Sequence, residues 1–128
     1  GEALVILDEN LKKDFRYYLK QRGAMMAKSF LIGLSFKVLF QDGLYYENAK
    51  RAYDMSRILV EGLKDLGRDP VFAESNQVFI KSSPEEIEKF KEENIFEIEN
   101  AKESIIRLVT NYRTSEEEVR GFLNSINN

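Results

Sequence analysis

The chain has 128 residues, 43% hydrophobic and 32% charged, which is the make-up of one globular domain with a real core and leaves no room for a second full one. A formal charge of -3 and a pI near 5.2 argue against nucleic acid, because phosphate backbones select a strongly basic face. No cysteine or histidine is present, so disulfides, thiolate chemistry, the usual zinc sites and every imidazole-based dyad or triad are excluded, and chemistry must rest on Lys, Arg, Tyr or carboxylates.

In chain order, the first signal is the apolar run Ala3 to Leu7, closed by Asp8. It predicts a strand buried on both faces, as in a parallel or mixed sheet, and such a strand needs neighbours. The sequence around it lacks the basic lead of a signal peptide, so a cytoplasmic location is expected. Opening on this run without a methionine, the chain reads as a piece cut from a larger protein. Asp8 or Asn10 can cap a helix over Leu11 to Arg22, whose stripe is Leu11, Phe15, Tyr18 and Leu19 and whose wet face is Lys12, Lys13, Arg16 and Lys20. Gly23 follows as a C-cap.

The run from Ala24 to Phe40, AMMAKSFLIGLSFKVLF, is the most apolar stretch, and its apolar residues go all the way round a helix. A helix of that kind must be covered on every side. Lys28 and Lys37 are its only charges, and it is too short and too polar for a membrane span, which wants ~20 apolar residues. Some of its cover is expected from outside the chain. After a break at Asp42-Gly43, Leu44 to Leu66 predicts a long amphipathic helix with Tyr45, Ala49, Ala52, Ser56, Leu59, Leu63 and Leu66 on one face, ended by Gly67, so that two helices form a hairpin.

From Arg68 the pattern changes. Val71 to Ala73 and Gln77 to Lys81 are β-type segments around a Glu74-Ser75-Asn76 turn and predict a hairpin or bulged pair. Ser83-Pro84-Glu85-Glu86 opens a helix to about Glu93, with Ile87 and Phe90 on its apolar face. Ile95 to Ile98 predicts a strand, Ser104 to Thr110 a stronger one, and Thr114-Ser115-Glu116-Glu117 a second capping box before a helix presenting Val119, Phe122, Leu123 and Ile126. The expected class is α+β, a helical hairpin packed on a small, mainly antiparallel sheet.

Arg107 is the first candidate for a functional role. On its strand the same-face neighbours Ile105 and Val109 are apolar, and a guanidinium there costs several kcal/mol unless an anion meets it. Arg grips a carboxylate with two parallel bonds, so a substrate carboxylate is one apt partner; the other reading is an edge-strand arginine that snorkels to water or pairs with one of the chain's own glutamates. Lys28, a lone ammonium near the start of the apolar helix, either meets a phosphate or carboxylate from another domain or subunit, or snorkels at a helix end. No glycine-rich phosphate loop, metal cluster or paired-carboxylate site is visible.

Read as an ordered set, Gly1-Glu2-Ala3, Phe15 to Gly23, Met26-Ala27-Lys28, Asp42-Gly43-Leu44-Tyr45, Ser75 to Phe79 and Ile106 to Thr110 resemble successive blocks of the low-specificity threonine aldolases and the related β-eliminating lyases. These are pyridoxal-phosphate enzymes of the aspartate-aminotransferase fold. The resemblance implies that residues 1–23 are the end of the large-domain sheet with its connecting helix, and 24–128 the C-terminal small domain. It also implies that the Schiff-base lysine lies upstream of Gly1, so that the chain alone is inactive. Arg107 matches the arginine that holds the substrate carboxylate, Lys28 lies beside the position of an arginine near the cofactor phosphate of a neighbouring subunit, and Asn76 matches a turn residue read as structural. The implied reaction is retro-aldol cleavage of threonine or allo-threonine to glycine and acetaldehyde. The partners implied are the missing N-terminal cofactor domain, further copies of the chain and the amino-acid substrate. A β-eliminating lyase on the same scaffold and a non-catalytic helical dimerisation module remain as alternatives.

Overall fold

Where a side chain finds apolar partners within the chain, it packs; where it finds none, the local structure is short and exposed. The computed structural model describes residues 3–71 and 74–127, and they divide into two compact units, Gly1–Leu44 and Tyr45–Asn128. This division lies at a different place from the boundary expected after Gly23, which refers to the domains of a larger parent.

In the first unit no described residue is buried. Ala3 to Leu7 does not form the expected strand: Leu4, Val5 and Leu7 are exposed, and the sheet strands all lie in the second unit. A strand exists only through its ladder, and no ladder reaches these residues among those described. Asp8 does cap, its Oδ1 accepting from the Asn10 N–H at 2.8 Å, but the helix it starts, α1 (Glu9–Lys12), is a single turn. The continuous helix expected over Leu11 to Arg22 is broken at Asp14, which takes a left-handed φ of 56° and offers its carbonyl to Tyr17 and Tyr18 as the start of α2 (Phe15–Gln21). Asp tolerates that conformation, and an amphipathic stripe with nothing to pack against gains little from staying continuous. The apolar helix, α3 (Phe30–Phe40), begins six residues later than the Ala24 start expected for it, and Lys28 falls in the turn before it. Its surface is not covered: Phe30, Leu31, Leu34 and Val38 are all exposed. Asp42 and Gly43, both at positive φ, make the expected break as a 3₁₀ turn.

The second unit holds the core. α4 (Leu44–Asp65) buries Ala52, Ser56, Leu59, Val60 and Leu63; of the face read from its spacing, Tyr45 and Ala49 in its first turns are exposed. It stops in a Schellman arrangement: Gly67 sits at φ 73°, its N–H bonds the Lys64 carbonyl, and the Arg68 N–H bonds that of Leu63, both at 2.9 Å. β1 (Gln77–Lys81), α5 (Pro84–Glu93), β2 (Glu97–Asn100), β3 (Ile105–Val109) and α6 (Glu116–Asn127) complete it. The sheet is antiparallel in the order β1-β3-β2. β1 pairs with β3; of the Val71 to Ala73 segment expected beside it, the Val71 N–H bonds the Phe79 carbonyl at 2.7 Å, and Phe72 and Ala73 lie outside the described residues.

Period-two alternation sends Val78, Ile80, Ile106 and Leu108 into the core, where Leu59, Val60 and Leu63 of α4, Ile87 and Phe90 of α5, and Val119 and Ile126 of α6 meet them. Gly62 on α4 lets Leu123 of α6 approach so closely that a Cβ there would lie 2.2 Å from its Cδ1. Two buried hydroxyls pin the sheet's ends to α4: Ser56 Oγ lies 2.8 Å from the Ser75 carbonyl, and Thr110 Oγ1 donates to that of Ala52 at 2.7 Å. Asn76, read as a structural turn residue, donates to the Thr110 carbonyl at 2.7 Å. No helix among the described residues is long and apolar enough to cross a membrane.

Candidate functional site

With one face of the sheet sealed by the core residues of α4, α5 and α6, the intervening residues of β3 must point to the other face. Arg107 is one of them. It stands between Phe79 of β1 and Glu97 of β2 in the register of the three strands, so the central strand carries the cation on the sheet face opposite the core. Its same-face neighbours are Ile105, half-buried, and Val109, exposed, as the alternation requires.

The anion that the sequence calls for comes first from the chain itself. Arg107 Nη2 makes a close ion pair with Glu97 Oε2, and Nη1 lies 3.5 Å from Glu99 Oε2. A register irregularity between Ile98 and Asn100 leaves Glu99 with no residue opposite it in β3, which frees its carboxylate for the guanidinium. Asn100 then turns the chain, its Oδ1 accepting from the Lys102 and Glu103 N–H groups. Arg107 keeps 27% of its side chain exposed, against 67% for Glu97 and 48% for Glu99. Its Nε is buried and, among the described residues, has no hydrogen-bond partner. In a guanidinium, Nε and Nη2 form one fork for the two oxygens of a carboxylate; here one prong is taken and the other is empty.

Lys28 sits elsewhere, on an exposed turn of the first unit. Its carbonyl accepts from Leu31 N–H at 3.1 Å, and Ser29, at the N-cap of α3, makes no side-chain cap bond. An ammonium beside an uncapped helix start has the donor set of an oxyanion site. Arg107 is brought together with Glu97, Glu99 and Phe79; Lys28 belongs to the other unit. The two glutamates are the members of the site that sequence reasoning did not single out. The Glu-x-Glu alternation at Glu97 and Glu99 was the available signal, since it puts both carboxylates beside the strand that carries Arg107.

A concavity of about 480 Å³ lies away from this chemistry, lined by Leu59, Asn94, Thr110, Arg113, Glu118 and Phe122 among others, and Arg107 is not part of its wall. Buried-charge chemistry identifies the sheet face as the stronger candidate.

No protein-family model matches the chain. It is similar to the low specificity L-threonine aldolase of Pseudomonas aeruginosa, 30% identical over 93 residues, which is 71% of this chain and 27% of that protein. The enzyme of the same name from another Pseudomonas species is 28% identical over the same extent. Among solved structures, the Leishmania major threonine aldolase matches with a TM-score of 0.84 and 34% identity, over 94% of this chain and 36% of that one. The chain thus spans about a quarter of the length of the curated relatives it matches.

Proposed function

We propose that this threonine-aldolase-like chain is the substrate-carboxylate-binding part of a longer pyridoxal-phosphate-dependent lyase, one that cleaves threonine or allo-threonine to glycine and acetaldehyde. The observation that carries the reading is Arg107: a half-buried guanidinium on the sheet face opposite the core, with one buried donor unfilled, in a chain whose similarity to threonine aldolases runs nearly end to end. In this reading residues 1–23 complete the large domain, 24–128 form the small domain, and the Schiff-base lysine lies upstream. The apolar surface of α3 is then covered by the rest of the longer protein and by a second copy in a cytoplasmic homo-oligomer.

The chain's own contribution is orientation. Two parallel bonds from Arg107 fix the plane of the substrate carboxylate, and with it the direction of the Cα–Cβ bond to be broken. Pyridoxal phosphate, when bound, supplies the electron sink for that cleavage. The donor this chain offers it suits only its phosphate: the Lys28 ammonium. Its ring and its lysine linkage need residues of the upstream part.

Arg107→Gln in the full-length protein tests this. Two charge-assisted bonds at about 1.5–3 kcal/mol each predict a rise in KM for threonine of about a hundredfold or more, with the cofactor's absorbance retained. An unchanged KM would overturn the assignment. Release of a keto acid and ammonia in place of glycine and an aldehyde would move the chain to the β-eliminating lyases.

A further inference from the structure

The half-filled fork of Arg107 has a charge balance that decides how an anion can reach it. With Glu97 and Glu99 both in place, the cluster holds one guanidinium and two carboxylates and is net negative, so it repels an arriving carboxylate. Glu97 is the obstacle in particular, because it sits on Nη2, the prong that a two-pronged carboxylate shares with Nε. It is also the easier one to move: it is the more exposed of the two, and an ion pair to a carboxylate that wet holds weakly. Glu99, at 3.5 Å from Nη1, lies on the other edge of the guanidinium and can stay.

We infer that Glu97 is an internal stand-in for the substrate carboxylate, occupying the Nη2 prong of Arg107 in the resting protein and swinging out to water when an amino acid takes both prongs. This rests on the reading of Arg107 as the carboxylate holder. The stand-in keeps the guanidinium paired while the site is empty, and it weakens binding of every amino acid by a common factor, since the arriving group must first displace it. Glu97 is thus a positioning residue that acts on KM. It has no part in bond cleavage, so kcat is left alone.

The test uses the full-length protein, with KM and kcat for threonine and the Kd of glycine by calorimetry, for the parent, Glu97→Gln, Glu99→Gln and Arg107→Gln. Glu97→Gln is expected to lower KM and Kd about three- to tenfold with kcat within twofold, following the size of an exposed ion pair. Glu99→Gln removes a negative charge without freeing a prong, so it is expected to lower both constants by less than Glu97→Gln does. Glu97→Asp, which keeps the charge but retracts it by one methylene, gives the same direction at reduced size and covers a Gln variant that does not fold. If Arg107→Gln weakens glycine binding while Glu97→Gln and Glu97→Asp leave it unchanged or weaker, the stand-in is wrong and the Arg107 assignment stands. If Arg107→Gln leaves glycine binding intact, that assignment fails and the stand-in with it.

Discussion

The two units of this chain end in opposite states, the one with the most apolar stretch being the one without a buried described residue. In the second unit Leu63, Val78 and Ile106 are fully buried, while in the first Leu34 of α3 is 52% exposed and Val38 50%. Composition does not separate them; the supply of partners does. β1, β3, α4, α5 and α6 each carry one apolar face, and those faces close on one another, whereas α3 is apolar all round and meets no buried partner. An apolar helix without cover records a demand for burial that this chain alone does not meet.

The sharpest way to break that comparison is to truncate one leucine in each unit. Leu63→Ala removes a side chain with no exposure and is expected to cost about 2–5 kcal/mol, read as a lower midpoint in denaturant unfolding. Leu34→Ala, on an uncovered surface, should stay within about 0.5 kcal/mol in the 128-residue chain. A cost for Leu34→Ala matching that of Leu63→Ala would mean that α3 is already packed in solution, and the contrast between the units would be lost.

The same contrast governs what was legible beforehand. α4, β1, α5, β3 and α6 follow from periodicity and caps because their partners lie within the chain, so local signals and packing agree. The strand at Ala3 to Leu7 and the start of α3 at Ala24 do not, because each was read from hydrophobicity that only contacts can convert into structure. β2 begins at Glu97 and not at Ile95, since Asn94 is still held by the Phe90 carbonyl at the end of α5 and pairing starts only where Glu97 meets Arg107. The second capping box is one residue later than the Thr114–Glu117 frame: Ser115 and Glu118 form it, and the Thr114 hydroxyl is taken by the Asn111 N–H. At the site, the apolar flanks of Arg107 revealed that it needed an anion. Its identity required the register, which is a property of three strands and not of one.

Caps sharpen the comparison on a smaller scale. Ser83 makes a full capping box, Oγ accepting from the Glu86 N–H at 3.2 Å and Glu86 Oε2 from the Ser83 N–H at 2.8 Å, on a helix that buries Ile87 and Phe90. Ser83→Ala should cost about 1 kcal/mol in thermal or denaturant unfolding. Asp8→Ala caps only the single turn of α1, in the unit without buried residues, and global unfolding should not register it. An equal loss at both positions would show that the first unit unfolds together with the core.

The smallest effect expected is a pH dependence confined to the packed unit. Glu86 has its carboxyl held below its ordinary value, first by the hydrogen bond from Arg68 at 2.6 Å, with burial opposing and the Ser83 N–H adding. The Arg68 guanidinium in turn lies 5.6 Å from the centre of the Phe90 ring, which ties the pair to the core. Because the folded state favours the ionised form, the unfolded chain binds a proton more readily, and stability rises with pH across the window between the two values. The contribution is present above about pH 4.5 and is lost as pH falls through the lower, folded value. Glu86 is over a third exposed, so solvent screening keeps the effect small. Unfolding midpoints measured between pH 3 and 6 should fall less steeply on acidification for Glu86→Gln than for the parent chain, and parallel curves would mean that the Arg68 contact is not maintained in solution.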